Sequence, residues 1–212
     1  MNTFCIASLV GVLSMGTAYA GGDPFIDFNA PGLGFLTDIT TQYAAEGVTF
    51  SGVAWGGGAV TLQTFNNSYF SDVNALAPSP NVLSDYYGGS PYTRAQTIQI
   101  NFTSPASDVS FEYNPAGYLG ADTVFDVYNT SDVLVDSFSD PNATGDNGNW
   151  YLETIPGSDV GQVDIVAPTE GWGHYVDNLQ FTESASAPDG GMTLGLLGTA
   201  FAAMAGLRKK LS

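Results

Sequence analysis

Basic side chains are almost missing from this chain. Its 212 residues hold four Lys and Arg and one His against 21 Asp and Glu, a formal net charge of −17. Three of those four bases, Arg208, Lys209 and Lys210, stand together near the C-terminus, so the long stretch before them carries only Arg94. Nucleic-acid binding draws on Lys and Arg that neutralise phosphates, and that class of partner is excluded. The acids are scattered singly, which marks a folded acidic surface rather than a disordered tail. Such a surface attracts divalent cations and favours solubility. A salt-adapted source would show the same scarcity of lysine.

Cysteine is nearly absent as well. Cys5 is the only one, so residues 21–212 have no disulfide, no thiol nucleophile and no cysteine metal site. The single histidine, His174, rules out a His-pair zinc site and leaves one candidate base for a Ser-His-Asp arrangement. No G-x-S-x-G elbow accompanies it. Gly171-Trp172-Gly173 reads as a turn into the last strand, so His174 is expected at an exposed strand start. Two carboxylates alone suffice for glycoside hydrolysis, an option that composition leaves open. The reading favoured by these absences is non-enzymatic.

What the chain does have begins at its ends. Residues 4–15 are apolar, and small residues follow, ending in Ala18-Tyr19-Ala20. This A-x-A pattern predicts a signal peptide over 1–20, cut after Ala20. Met1-Asn2-Thr3 lacks Lys and Arg, so either the α-amine supplies the charge or the start lies upstream. Cys5 opens the apolar stretch instead of following it, which argues against lipid attachment. At the other end come Pro188-Asp189-Gly190-Gly191, an uncharged run over 192–207, then Arg208, Lys209 and Lys210. As a helix the run is about 24 Å long. A full span usually takes about 20 apolar residues, so this one needs local thinning of the bilayer. The three bases would stay cytoplasmic and hold everything before Pro188 outside. Gly198, Ala202 and Gly206 recur four apart, a spacing that lets another helix approach closely.

This motif, apolar helix and basic stop resemble the PEP-CTERM class of bacterial sorting tails. The motif is similar to the variant that begins Val-Pro-Asp-Ser-Gly, with Ala187 in place of Val and Gly190 in place of Ser. The resemblance implies recognition by an exosortase, a membrane-embedded cysteine transpeptidase-like enzyme. That enzyme would remove the 188–212 tail and release or attach the ectodomain at the cell surface or in extracellular polymer.

Residues 21–183 are one domain's length, joined to the tail by a polar linker over 184–187. Short alternating segments recur between Gly, Pro, Asn, Asp and Ser: 25–28, 48–53, 59–64, 97–102, 109–113, 123–128, 133–138, 150–154, 162–166 and 174–181. Ile98, Ile100 and Phe102 share one face of a segment, as do Val109, Phe111 and Tyr113, the pattern of half-buried strands. The fold class is therefore all-β, an antiparallel β-sandwich of the jelly-roll type. Residues 66–93 read as a long surface loop. One helix is expected over 40–46, capped by Thr40 and ended by Gly47.

Ile26-Asp27-Phe28, Thr41-Gln42-Tyr43 with Gly47-Val48-Thr49-Phe50-Ser51, and Tyr175-Val176-Asp177-Asn178-Leu179-Gln180-Phe181 resemble exported bacterial sandwich domains related in layout to carbohydrate-binding jelly rolls. The resemblance implies that the first and last strands meet and that acidic groups there hold a structural calcium. Alternation points to the same residue. Asp177 shares the parity of Tyr175, Leu179 and Phe181, so if that face is the core face its carboxylate points inward. An unpaired buried carboxylate costs several kcal/mol, and calcium with six to eight oxygen ligands would resolve it. Asp27 and carbonyls of residues 47–51 are the candidate partners. Alternatively Asp177 bonds backbone amides at a strand end.

Aromatic side chains near loops could stack on sugar rings, or they could pack against the domain. The candidates are Trp55 beside three glycines, Tyr86, Tyr87 and Tyr92 around Gly88-Gly89, Arg94 after them, and Trp172 between two glycines. The expectation is an exported, exosortase-processed cell-surface or matrix protein whose domain is structural or adhesive and engages extracellular polysaccharide. A dedicated carbohydrate-binding module is the alternative, and a secreted glycosidase-like enzyme is the third reading.

Overall fold

The strands form where apolar residues alternate, and the alternation decides what is buried. Ile98, Ile100 and Phe102 face inward, as do Val109, Phe111 and Tyr113, each set spaced two apart as the pleat requires. The computed structural model describes residues 23–30, 32–66, 81–88, 90–115, 122–139, 150–167 and 174–184. The predicted signal peptide, the sorting motif at 188–191, the apolar run, the basic stop and Trp172 lie outside them. Among the described residues no helix is long and apolar enough to cross a membrane.

Among the described residues twelve strands follow in chain order: β1 Phe25–Ile26, β2 Val48–Ala54, β3 Ala59–Val60, β4 Gln63–Asn66, β5 Asn81–Ser84, β6 Tyr86–Tyr87, β7 Ser90–Asn114, β8 Val124–Asn129, β9 Leu134–Ser139, β10 Tyr151–Ile155, β11 Val160–Val166 and β12 Tyr175–Glu183. Their pairings are antiparallel. The first half of β7 lies between β2 and β11, and β8 and β9 continue that layer outward. The second half of β7 lies between β12 and β10, and β5 and β4 continue beyond β12. One long strand thus serves both layers of a sandwich, changing layer near Pro105. Aromatic rings close the space between them. Phe125 of β8 meets Phe111 and Tyr113 at 6.1 and 5.3 Å, and Phe102 meets Phe181 at 4.9 Å. Burial of such large side chains supplies most of the favourable free energy of a domain without disulfides.

β1 pairs with β12 through Ile26 and Leu179, so the first and last strands do meet. Three local expectations are corrected. The stretch 66–93 is not simply a surface loop. It contains β5, whose Val82 and Leu83 are buried, together with β6 and the start of β7. Two buried apolar residues framed by Asn81 and Ser84 are too short a run to show period two. The expected helix over 40–46 is one 3-10 turn, Ala44–Glu46. Thr40 does not cap it, because its N–H and hydroxyl both donate to Asp38 Oδ1, at 2.8 and 2.7 Å. Gly47 does end it, in the left-handed region at φ 87°, where glycine alone is unstrained. The third correction concerns β12 and is described next.

Candidate functional site

The Asp27–Asp177 region grows from an irregularity in β12. Asp177 stands opposite Glu112 of β7, but the next aligned pair is Gln180 with Ser110. The strand therefore carries an extra residue, and Asn178 takes it up with φ 48°, a left-handed value that Asn tolerates. This β-bulge shifts the alternation. Val176, Leu179 and Phe181 enter the main core, whereas Tyr175 joins a second apolar cluster with Phe65 and Val82. Asp177 follows Tyr175, not Leu179 and Phe181 as unbroken alternation predicts. It is nonetheless fully buried, at 0% exposure.

Asp177 Oδ1 accepts the backbone N–H of Asn178 at 2.9 Å, and Asn178 Nδ2 donates to Glu112 Oε2 at 2.7 Å. Asp27 is half-buried. Its Oδ1 accepts the N–H of Asn29 at 3.0 Å, and Asn29 Oδ1 in turn accepts the N–H of Asn81 at 3.1 Å. Burial pushes the Tyr43 phenol up to about 12, and the charges of Asp27, Glu46 and Asp177 act in the same direction. Three carboxylates thus act on one phenol at this edge of the sandwich. Among the described residues no three His, Cys, Asp or Glu side chains converge as a metal group. A calcium ion here would rest on two carboxylates and on carbonyl oxygens. The alternative role for Asp177, bonding a backbone amide, is met by Asn178.

A second cluster was not legible in the sequence. His174 is not an exposed strand start but a buried residue at 7% exposure. Its carbonyl accepts the N–H of Asp85 at 3.1 Å, and the Asp85 carbonyl accepts the N–H of Ala95 at 2.8 Å. These bonds draw the β12 entrance, the β5–β6 junction and β7 together. The imidazole stacks on Tyr113, with ring centroids 5.8 Å apart, and its Nδ1 is hydrogen-bonded to the Tyr113 hydroxyl. That hydroxyl also meets Thr123 Oγ1 at 2.7 Å. Asp85, at 2% exposure, and Glu153 lie buried nearby, and both hold the Tyr113 proton more tightly.

Desolvation sets the protonation states. Burial lowers His174 to about 4, helped by the Arg94 charge, so its ring is neutral at pH 7. Burial raises Asp85 to about 7 against the opposing pull of Arg94. The Tyr113 phenol is held well above its ordinary value, chiefly by burial, and keeps its proton. The cluster can hold and share protons, but its side chains are closed off from solvent, and the histidine bonds a phenol rather than a serine. One signal could have revealed it: residues 21–187 contain one Arg and one His, and both belong here.

The aromatic candidates are partly brought together. Tyr86 pairs with Arg94, and Tyr87 with Ser90, in the β6–β7 hairpin that also contains Tyr92. Ala54 pairs with Ala95, which carries Trp55 to the same end of the sandwich. Trp55 is half-buried beside exposed Gly56, Gly57 and Gly58. Tyr87 packs against the core. Arg94 is half-buried, and its charge acts on Asp85.

No family model and no curated protein matches the chain. Several solved structures are similar at low identity. The K2 cleaved adhesin domain of Lys-gingipain is 13% identical over 76% of this chain and 98% of that one, with a TM-score of 0.47. The K1 cleaved adhesin domain of Lys-gingipain from Porphyromonas gingivalis W83 is 9% identical over 78% and 100%, with a TM-score of 0.33. The enzymatically active domain of bacteriophage CBA120 tailspike protein 4 is 14% identical over 75% and 22%, with a TM-score of 0.37. These likenesses are distant and carry nothing over to this chain beyond its own antiparallel β architecture.

Proposed function

We propose that this chain is an exported, exosortase-processed protein of the cell surface or extracellular polymer, and that its jelly-roll domain is structural or adhesive rather than catalytic. The observation that carries this reading is the tail: Pro188-Asp189-Gly190-Gly191, an uncharged run and three bases, following a sandwich whose acids outnumber its bases so strongly. The burial of His174 and the partial burial of Arg94 support it, since they leave carboxylates to dominate the outer surface. The test is the intact mass of the protein recovered from cells with and without their exosortase. Loss of the residues after the motif only when the enzyme is present is the expected result. The same full-length mass in both strains would refute processing.

A second reading, a carbohydrate-binding module, is favoured by the convergence of Trp55 with the Tyr86–Arg94 hairpin. It predicts glycan-array signals that fall on Trp55→Ala. Hydrolysis of a polysaccharide by the purified protein would overturn the non-catalytic assignment. Asp27 and Asp177 are the residues that would hold a structural calcium in either case.

A further inference from the structure

At the opposite end of the β2–β7 pairing from Arg94, the strands leave a groove of about 480 Å³. Three irregularities build it. β7 changes layer here, through Thr103, Ser104 and Pro105. β11 has a bulge at Gly161, where its register slips against both β7 and β8. The β8–β9 turn carries Asp132 with φ 57°. The bulge sits directly on the turn, since a Cβ at Gly161 would fall 2.7 Å from the Asn129 carbonyl oxygen. Bulges gather beside functional sites because they re-aim the side chain that follows, and here that residue is Gln162, on the groove wall.

The walls carry amides and hydroxyls beside the apolar Phe102 and Pro105. Asn129 Oδ1 accepts the N–H groups of Ser131 and Val133, both at 3.0 Å, which leaves its Nδ2 to donate. Asn101 Nδ2 donates to Ser51 Oγ at 3.1 Å, which leaves its Oδ1 to accept. Gln162 Nε2 donates to Asp164 Oδ1 at 2.5 Å, which leaves its Oε1 to accept. Each amide is held at one atom by its own neighbours, so part of the ordering cost of binding is already met. Among the described residues that line the groove, the one charged group is the Asp132 carboxylate.

Fixed donors and acceptors in the absence of a base match the hydroxyls of an uncharged sugar. A uronate or sulfated polymer would meet Asp132 and a surface of the same sign. We propose that this groove binds a neutral saccharide, with Asn101, Asn129 and Gln162 as its polar contacts. The proposal rests on the adhesive reading of the domain and gives it a ligand class and a place.

The experiment is calorimetric titration of the purified chain with cellohexaose, mannohexaose, maltohexaose and a hexagalacturonate. At least one neutral hexamer is expected to bind and the uronate is not. Gln162→Leu and Asn129→Asp, the second keeping the oxygen that accepts the Ser131 and Val133 amides, should each weaken that binding about tenfold, the loss of one well-placed hydrogen bond, with a cooperative melt retained. Flat titrations across the neutral hexamers would overturn the proposal. So would tight uronate binding, or neutral binding indifferent to both variants. If binding instead falls on Trp55→Ala alone, the groove is refuted while the adhesive reading stands, and processing is judged separately by the intact mass.

Discussion

The hydroxyl of Tyr113 joins the imidazole of His174 to Thr123, sixty-one residues from the first and ten from the second in sequence. One oxygen satisfies two buried polar groups on the β12 entrance and the β8 entrance. Tyr113→Phe keeps the ring and its contact with Phe125 but leaves both partners without that bond. A loss of about 2–3 kcal/mol is expected, read as a lower midpoint in urea with an unchanged slope. A midpoint within error of the parent would show that the hydroxyl links nothing of consequence.

The two titratable partners near it oppose each other with pH. His174 falls from 6.5 unfolded to about 4 folded, so its contribution is intact above 6.5 and is lost as pH falls toward 4. Asp85 rises from 3.8 to about 7, so its contribution is intact at low pH and is lost as pH rises toward 7. Over the shared window each slope approaches at most about 1.4 kcal/mol per pH unit, with opposite sign. Asp85→Asn should therefore tilt the stability profile upward with pH between 4 and 6.5 relative to the parent. His174→Gln should tilt it downward. Parallel profiles for all three proteins would exclude both shifts.

The Asp27–Asp177 region separates two accounts by one measurement. If calcium bridges these carboxylates, adding EDTA lowers the melting temperature, calcium restores it, and Asp177→Asn removes the response. A ligand that binds only the folded state stabilises it by mass action. A melt indifferent to EDTA would leave hydrogen bonds within the chain, the Asn178 amide among them, as what makes the burial of Asp177 tolerable.

The strand plan was legible because apolar residues alternate cleanly over 97–102 and 109–113. The meeting of the first and last strands was expected from residues 26–28 and 175–181, and Ile26 does pair with Leu179. Parity failed at Asn178, where one left-handed residue shifts every later side chain of β12, and no pattern in Tyr175 to Phe181 announces that. β5 failed for a different reason: its burial comes from long-range pairing with β4 and β12, which local composition does not encode. The Tyr113 cluster was hidden because polar residues read as surface until the layers close over them. Only the scarcity of Arg and His made those two positions unusual.

β7 belongs to both layers, handed from one to the other near Pro105. Neither layer can be completed while the other is absent, since each would lack a central member. Denaturation should then be all-or-none, with tryptophan fluorescence and far-ultraviolet circular dichroism falling at a common midpoint, and a chain nicked between residues 103 and 106 should lose both halves together.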